Sequence, residues 1–125
     1  MTIRREVKAW LAQRGIPVAD VLYTSKLYAP SSSWTGAHAW WIQVPLERIE
    51  TAEVVGMALE GEEGAAPFRY LEVPTAFLRE NLSSFGMLGE RSINLFLSAE
   101  PEDLLVDRRG LGRVNFSSFE LHPPP

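Results

Sequence analysis

The densest group of basic side chains lies at residues 107–113, which read Asp-Arg-Arg-Gly-Leu-Gly-Arg. Guanidinium groups form two-pronged hydrogen bonds to phosphate or carboxylate oxygens, and glycine lets a backbone approach a ligand closely. Arg108, Arg109 and Arg113 are therefore candidate anion-binding residues. The segment lacks the G-x-x-x-x-G-K-[ST] pattern of a phosphate-binding loop. The alternative is a turn with solvated arginines, or with Arg109 paired to an acidic residue at 102–103.

A second candidate is residues 31–38, Ser-Ser-Ser-Trp-Thr-Gly-Ala-His. An indole can stack on a ring or a base, and an imidazole can act as a general acid or base. Trp34 and His38 are thus candidate binding residues, and Ser31 or Ser33, activated by His38, is a candidate nucleophile. No G-x-S-x-G nucleophile sequence is present. The alternative is an ordinary loop, to which serine and glycine are well suited.

Two adjacent tryptophans follow this segment in an apolar stretch that predicts a strand over residues 38–44. Neighbouring side chains of a strand point to opposite faces, so Trp40 and Trp41 cannot both enter one layer. One indole is expected in the core. The other lies under a helix or belongs to a binding surface, and Trp41 is the candidate for that surface.

Acidic turns near residues 60–63 and 100–103 could in principle bind Mg²⁺. A nuclease of the restriction type would need Glu-x-Lys after a strand, but both lysines, Lys8 and Lys26, precede these turns. Cysteine is absent and the two histidines are far apart, which disfavours zinc. The sequence therefore predicts no metal site and no cofactor.

The formal net charge is -4, which argues against a protein that coats nucleic acid indiscriminately. The charge is unevenly distributed, however. Residues 47–63 are rich in glutamate, whereas residues 1–28 carry an excess of basic side chains, namely Arg4, Arg5, Lys8, Arg14 and Lys26. A local basic face on an acidic protein therefore remains open.

The hydrophobic pattern predicts the elements that must position these residues. Apolar residues recur at helical spacing over residues 2–14, and Gly15 followed by Pro17 predicts the helix end. Further strands are expected over residues 21–28, 53–59, 68–73, 92–98 and 114–121, and helices over 46–51, after Pro74 and over 99–106.

An internal similarity organises these elements. Residues 42–49, Ile-Gln-Val-Pro-Leu-Glu-Arg-Ile, resemble residues 71–78, Leu-Glu-Val-Pro-Thr-Ala-Phe-Leu. The similarity marks either a structural repeat or two uses of one good strand-to-helix turn. The element order over residues 38–98 is β-α-β-β-α-β, the split βαβ arrangement. We expect an α+β fold with a mostly antiparallel sheet on which the N-terminal helix packs through Trp10.

The chain length of 125 residues and an apolar fraction of 46% predict one globular domain over residues 1–122. Residues 123–125, three prolines, are expected to form a flexible tail. No apolar stretch is long enough to cross a membrane, and the first residues do not form a signal peptide. The expected location is the cytoplasm.

Three functions fit these patterns. The first is a non-catalytic binding or accessory module that acts with a macromolecular partner through the tryptophan-rich loop and the arginine-rich turn, because tryptophan and arginine dominate binding hot spots. The acidic net charge favours a protein over a nucleic acid as this partner. The second is a small enzyme that uses His38 and residues 108–113 on a phosphate-bearing or nucleic-acid substrate. The third is a structural subunit whose apolar strands continue into a homo-oligomer.

Overall fold

The computed structural model describes residues 3–28, 38–61, 67–88, 91–110 and 112–121. In chain order the helices are α1 (Ile3–Gln13), α2 (Leu46–Thr51) and α3 (Thr75–Glu80). The strands are β1 (Leu22–Ser25), β2 (Leu27–Tyr28), β3 (Ala39–Pro45), β4 (Val54–Glu60), β5 (Phe68–Pro74), β6 (Gly86–Leu88), β7 (Ser92–Ser98) and β8 (Glu120–Leu121). Short 3₁₀ turns occupy Leu82–Ser84, Pro101–Asp103 and Ser117–Phe119.

The strands form two four-stranded sheets, with the orders β1-β4-β5-β8 and β2-β3-β7-β6. Among the strand pairs of the described residues, β1–β4 is parallel and the others are antiparallel. The predicted α+β fold with mostly antiparallel pairing is confirmed. The expected β-α-β-β-α-β order occurs as β3, α2, β4, β5, α3 and β7, with β6 added before β7. Its strands are divided between the two sheets, where one sheet was expected.

One apolar cluster joins both sheets with α2 and α3. Its buried members include Trp40, Ile42 and Val44 from β3 and Met57 and Leu59 from β4. Alternation along a strand sends the next residues to the opposite face. The inner faces of the two sheets therefore share one core.

Helix α1 covers the other face of the first sheet. Val7, Trp10 and Leu11 pack with Phe68 and Tyr70 in a separate apolar cluster. The rings of Trp10 and Phe68 meet edge to face, with 5.9 Å between their centroids. The predicted packing of the N-terminal helix on a sheet is confirmed.

The end of α1 follows from its sequence. Gly15 has φ +68°, a conformation that glycine adopts without strain. Its amide donates to the carbonyl of Ala12, and the amide of Ile16 donates to the carbonyl of Leu11. These two bonds satisfy carbonyl groups that a helix end would otherwise leave unpaired.

The two similar segments adopt the same junction geometry. Pro45 and Pro74 have φ -62° and ψ 140° and 134°, respectively, and each precedes a six-residue helix. The first helical amide after each proline donates to the residue just before the partner strand: Leu46 to Arg91 and Thr75 to Glu53. The similarity between residues 42–49 and 71–78 therefore extends to the backbone conformation and its hydrogen bonds.

Three predicted elements differ from the structure. The strand expected over residues 21–28 is divided into β1 and β2, which belong to different sheets. The helix predicted over residues 99–106 contains only a 3₁₀ turn, because the chain folds back onto β7. Leu105 has φ 65°, and the backbone amide of Ser98 donates to the carbonyl of Val106. Of the predicted strand over 114–121, only Glu120–Leu121 is a strand. Phe116, fully buried, instead anchors this segment, and its amide donates to Leu105. The helices within the described ranges are too short or too polar to traverse a lipid bilayer.

Candidate functional site

The arginine turn, residues 107–113, is organised by the buried carboxylate of Asp107. This carboxylate accepts hydrogen bonds from the amides of Phe96 (3.0 Å), Arg109 (3.0 Å) and Gly110 (3.1 Å). Burial raises the pKa of Asp107 above its ordinary value, while the three amides and the nearby charge of Arg109 act against that rise. The Asp107 carboxylate therefore fixes the shape of the turn by accepting hydrogen bonds from backbone amides.

The two glycines of the turn are explained by packing. A Cβ atom at Gly110 would lie 2.0 Å from the carbonyl oxygen of Ser84, and one at Gly112 would lie 2.3 Å from the Ser84 Cβ. Both distances are shorter than any atomic contact allows. The glycines let the arginine turn lie against the 3₁₀ turn after α3, which is a structural reason for the Gly-x-Gly spacing.

Arg108 is paired within the protein. Its Nε donates to Oδ2 of Asp103 at 2.8 Å, its Nη2 donates to Oδ1 at 2.9 Å, and Glu102 lies 3.9 Å away. The hydrogen bond from Arg108 is the main reason that the pKa of Asp103 is lowered. The sequence offered Arg109 as the partner of residues 102–103; the structure pairs Arg108 with Asp103 instead.

Arg109 and Arg113 are exposed on the surface of the turn. The aliphatic part of Arg109 lies over Gly86, whose added Cβ would meet the Arg109 Cγ at 2.6 Å. The guanidinium carbon of Arg109 lies 5.8 Å from the ring centroid of Phe96. Such an arrangement keeps the charged end in solvent while the stem packs. These two arginines retain the capacity to contact an external anion.

His38 is held at the start of β3 by Glu100. One carboxylate oxygen of Glu100 accepts the His38 backbone amide at 2.8 Å and contacts the ring Nδ1 at 3.1 Å. These contacts, with the backbone amide first, lower the pKa of Glu100. The His38 side chain is 47% exposed, and its Nε2 is the ring nitrogen not engaged by Glu100.

A polar network connects His38 to the arginine turn. The Glu100 amide donates to Oγ of Ser98 at 3.0 Å, and that hydroxyl donates to Asp103 at 2.6 Å. Asp103 in turn holds Arg108. The structure thus brings two of the predicted site residues, His38 and Arg108, into one network. Ser98 is fully buried, and its hydroxyl donates to Asp103. Ser31 and Ser33, the candidate nucleophiles, lie outside the described residues.

The tryptophan pair divides as strand alternation predicts. Trp40 is buried in the core, where its indole N–H donates to the carbonyl of Glu60 at 2.8 Å. Trp41 is 37% exposed on the outer face of the second sheet. It lies opposite Phe96 in the β3–β7 register, edge to face at 6.2 Å, and its indole N–H donates to the buried Asn94. Trp34, the remaining predicted site residue, lies outside the described residues.

A cleft opens beside Trp41, where residues 22–28 pass from the first sheet, as β1, to the second sheet, as β2. The oxygen of Ser25 accepts the Trp41 amide at 2.9 Å and donates to the Lys26 carbonyl at 2.8 Å, at the end of β1. The cleft has a volume of about 410 Å³. Its lining includes Arg4, Tyr23, Lys26, Tyr28, Trp41 and Gln43, and we call it the aromatic cleft.

The aromatic cleft is positively charged. Arg4 and Lys26 line it, and no carboxylate does so among the described residues. Burial raises the pKa of Tyr23, and the charges of Arg48 and Arg4 act in the opposite direction, which places a third cation near this phenol. Anionic groups are therefore favoured here over cationic ones.

Of the cleft residues, the sequence singled out only Trp41. The excess of basic residues over positions 1–28 was the available signal for Arg4 and Lys26. Tyr23 and Tyr28 carried no signal, because aromatic residues are common in buried strands.

Comparison with known proteins finds no matching family model, no similar curated protein and no similar solved structure.

Proposed function

We propose that this protein is a non-catalytic binding module that holds a partner protein at the aromatic cleft. The observation that carries the proposal is the placement of its exposed apolar side chains. Within the described ranges the exposed large apolar residues are Tyr28 (38%), Trp41 (37%) and Leu121 (38%). The first two line the same cleft, beside Arg4 and Lys26. Tyrosine, tryptophan and arginine are the side chains that contribute most to binding energy at protein interfaces.

The surroundings of Trp41 favour a preformed surface. Its indole N–H is bonded to Asn94, its backbone amide is bonded to Ser25, and its ring packs against Phe96. A side chain fixed by such contacts loses little conformational entropy when a partner binds. The ring is thus held in place while more than a third of its surface stays accessible.

Charge favours protein over nucleic acid as the partner. The chain has a net charge of -4, and the cleft itself is lined by two cations. Binding to a nucleic-acid strand draws most of its free energy from many basic contacts to phosphates. A cleft of this size and charge suits a short segment of a protein better than a continuous phosphate backbone.

Affinity capture with matched variants tests the proposal. Wild-type protein, Tyr28→Ser/Trp41→Ser and Leu121→Ser serve as baits, and captured proteins are then purified and titrated against each bait by calorimetry. We expect a partner whose affinity falls by about tenfold or more for the double variant and is unchanged for Leu121→Ser. A partner bound equally by all three baits, or no direct binding by purified protein, would contradict the proposal.

Two controls complete the experiment. Thermal unfolding of each bait shows whether the double variant remains folded, since Trp41→Ser leaves Asn94 without its donor. Sedimentation of the wild type at high concentration detects a second copy of the chain as the occupant. Gel shifts with DNA and RNA at low salt detect nucleic acid.

A second function is favoured by one contact, that of His38 with Glu100. A carboxylate bonded to Nδ1 orients the imidazole and leaves Nε2 available for proton transfer. With Arg109 and Arg113 as anion contacts, the same end of the molecule would suit an enzyme acting on a phosphate ester. Hydrolysis of p-nitrophenyl phosphate by the wild type and its loss in His38→Ala, at an unchanged thermal midpoint, would favour this function.

A further inference from the structure

Part of the β3 edge has no strand paired with it where it borders the aromatic cleft, and we call this part the uncovered edge; residues of β1 line the same cleft. β2 pairs with β3 only through Leu27–Trp40 and Tyr28–Ala39. The residues that precede β2 form β1, which belongs to the other sheet. Within the described part of the chain, the register therefore assigns Gln43 no strand partner on the side that faces away from β7.

The backbone of Gln43 points towards this uncovered side. The Trp41 amide donates to Ser25 and so points away from β7, and amides two residues apart in a strand point to the same side. Phe96, which lies opposite Trp41, agrees with this geometry: its amide donates to Asp107 and its carbonyl accepts from Arg108, both away from β3. The N–H and C=O groups of Gln43 are thus directed at the cleft.

The uncovered edge is short. Trp41 already donates its amide to Ser25, and Pro45, the next residue with the same orientation, has no amide hydrogen. Proline on an edge strand limits uncontrolled pairing with other chains. Among the described residues of this edge, Gln43 offers both a donor and an acceptor, so the edge accommodates a segment of a few residues rather than a long strand.

The side chains around this edge define what such a segment would carry. Arg4 and Lys26 are exposed cations on the cleft wall, and no carboxylate lines it among the described residues. Alternate side chains of an added strand point to opposite faces, so every second residue would face the cleft wall. Acidic side chains at such positions are complementary to this charge.

From these observations, and resting on the proposed function, we infer that the aromatic cleft binds an extended acidic segment of its partner protein. The segment pairs its backbone with the N–H and C=O of Gln43, places carboxylates near Arg4 and Lys26, and packs against Tyr28 and Trp41. This is recognition by strand addition, in which main-chain hydrogen bonds supply affinity and side-chain contacts supply selectivity.

Selection from a random peptide library displayed on phage tests the charge of the occupant. We expect peptides enriched in Asp and Glu, with affinities about tenfold weaker for Arg4→Glu/Lys26→Glu than for the wild type. Arg5→Glu/Lys8→Glu is the matched control, since it changes the net charge equally on exposed α1 residues outside the cleft lining. Enrichment of basic or uncharged peptides, absence of enrichment, or equal loss in both double variants would overturn the inference.

Backbone pairing is tested with the best selected peptide. N-methylation at successive positions should weaken binding by about tenfold at the amide that pairs with Gln43 and much less at its neighbours. Hydrogen exchange of the Gln43 amide, followed by NMR, should slow when the peptide binds. Uniform tolerance of N-methylation, or an unchanged Gln43 amide, would exclude strand addition.

The outcomes separate this inference from the proposed function. Peptides that need Tyr28 and Trp41 but are not acidic would overturn the inference and leave a protein-binding cleft in place. Tighter binding of oligothymidine than of any selected peptide would overturn both, and would assign the cleft to single-stranded nucleic acid.

Discussion

Arg108 and Asp103 form a two-bond ion pair, with Nε to Oδ2 at 2.8 Å and Nη2 to Oδ1 at 2.9 Å. A guanidinium group in this geometry has its fork occupied by a carboxylate of the same chain. Contact with an external phosphate would require that pair to break. The capacity of the arginine turn for an external anion therefore lies with Arg109 and Arg113, and Arg108 stabilises the turn.

Replacement of Asp103 by Asn should change the acid stability of the protein. The Arg108 hydrogen bond lowers the pKa of Asp103 below its ordinary value of 3.8. A carboxyl group whose pKa is lowered in the folded state stabilises the fold at pH values above its unfolded-state pKa. That contribution is lost as the pH falls below about 3.8. We expect Asp103→Asn to lower the free energy of unfolding by about 1 kcal/mol at neutral pH. We also expect the free energy of unfolding of this variant to fall less steeply at acid pH. Urea unfolding across pH measures both effects.

The matched control for this prediction is Glu102→Gln. Glu102 is 71% exposed and lies 3.9 Å from Arg108, so its ion pair is screened by solvent. Its replacement should leave the decrease in the free energy of unfolding at acid pH unchanged. Equal effects of the two substitutions would show that the Asp103 contact is no stronger than a surface ion pair.

Asp107 should be among the most sensitive positions in the arginine turn. Asp107→Ala removes the acceptor of the amides of Phe96, Arg109 and Gly110, in contacts that are buried for Gly110 and partly buried for the other two. Each unsatisfied buried donor costs about 1–3 kcal/mol, so we expect a loss of about 3 kcal/mol or more in the free energy of unfolding. Chemical denaturation measures it, and a loss below about 1 kcal/mol would contradict this account.

The substitution Asp107→Asn separates charge from shape. Because burial raises the pKa of Asp107, the folded state holds its proton more tightly, and this group alone lowers stability as the pH rises above 3.8. The amide retains one acceptor but turns an NH₂ group toward a donor. We expect an intermediate loss of stability, and a stability profile that lacks this pH-dependent component.

The local elements were predictable because their causes are local. Apolar spacing and a left-handed glycine predicted α1, and proline after a strand predicted α2 with its observed bounds, Leu46–Thr51. The failure at residues 99–106 has a non-local cause. Leu105 takes φ 65° there, and Asp107 bridges to Leu97, so pairing with β7 overrides an acidic helical pattern.

The division into two sheets was not predictable in the same way. It depends on residues 22–28 forming two strands, of which β1 pairs with β4 and β2 pairs with β3. These pairings join segments that are far apart in the sequence. The aromatic cleft is a consequence of that division. Arg4, Lys26 and Gln43 meet there from separate elements, and no short stretch of sequence contains the arrangement.

Two glycines should respond differently to alanine. At Gly110 a Cβ would collide with the carbonyl oxygen of Ser84 at 2.0 Å, whereas at Gly15 the space is open and only the positive φ opposes the substitution. We expect Gly15→Ala to cost about 1 kcal/mol and Gly110→Ala about 3 kcal/mol, with displacement of the arginine turn. Thermal or chemical unfolding ranks the two. The reverse order would show that the turn shifts freely away from Ser84.

The pairing of His38 with Glu100 makes His38 a clean probe of the enzymatic alternative. Glu100 accepts both the backbone amide and the ring Nδ1 of His38, so His38→Ala loses only the weaker, exposed contact. We expect the free energy of unfolding of His38→Ala to stay within about 0.5 kcal/mol of the wild type. Glu100→Ala, which removes the acceptor of both bonds, should lower the thermal midpoint further.

The pH dependence of this pair has a defined sign. The two bonds from His38 lower the pKa of Glu100 below its ordinary value of 4.5. The stability that the contact supplies is therefore present above that pH and lost as the pH falls below it, and Glu100→Ala should lack this loss. Circular dichroism melts on either side of pH 4.5 compare the three proteins. A larger destabilisation by His38→Ala than by Glu100→Ala would mean that the imidazole itself supports the fold, and any activity lost in that variant could then be ascribed to unfolding.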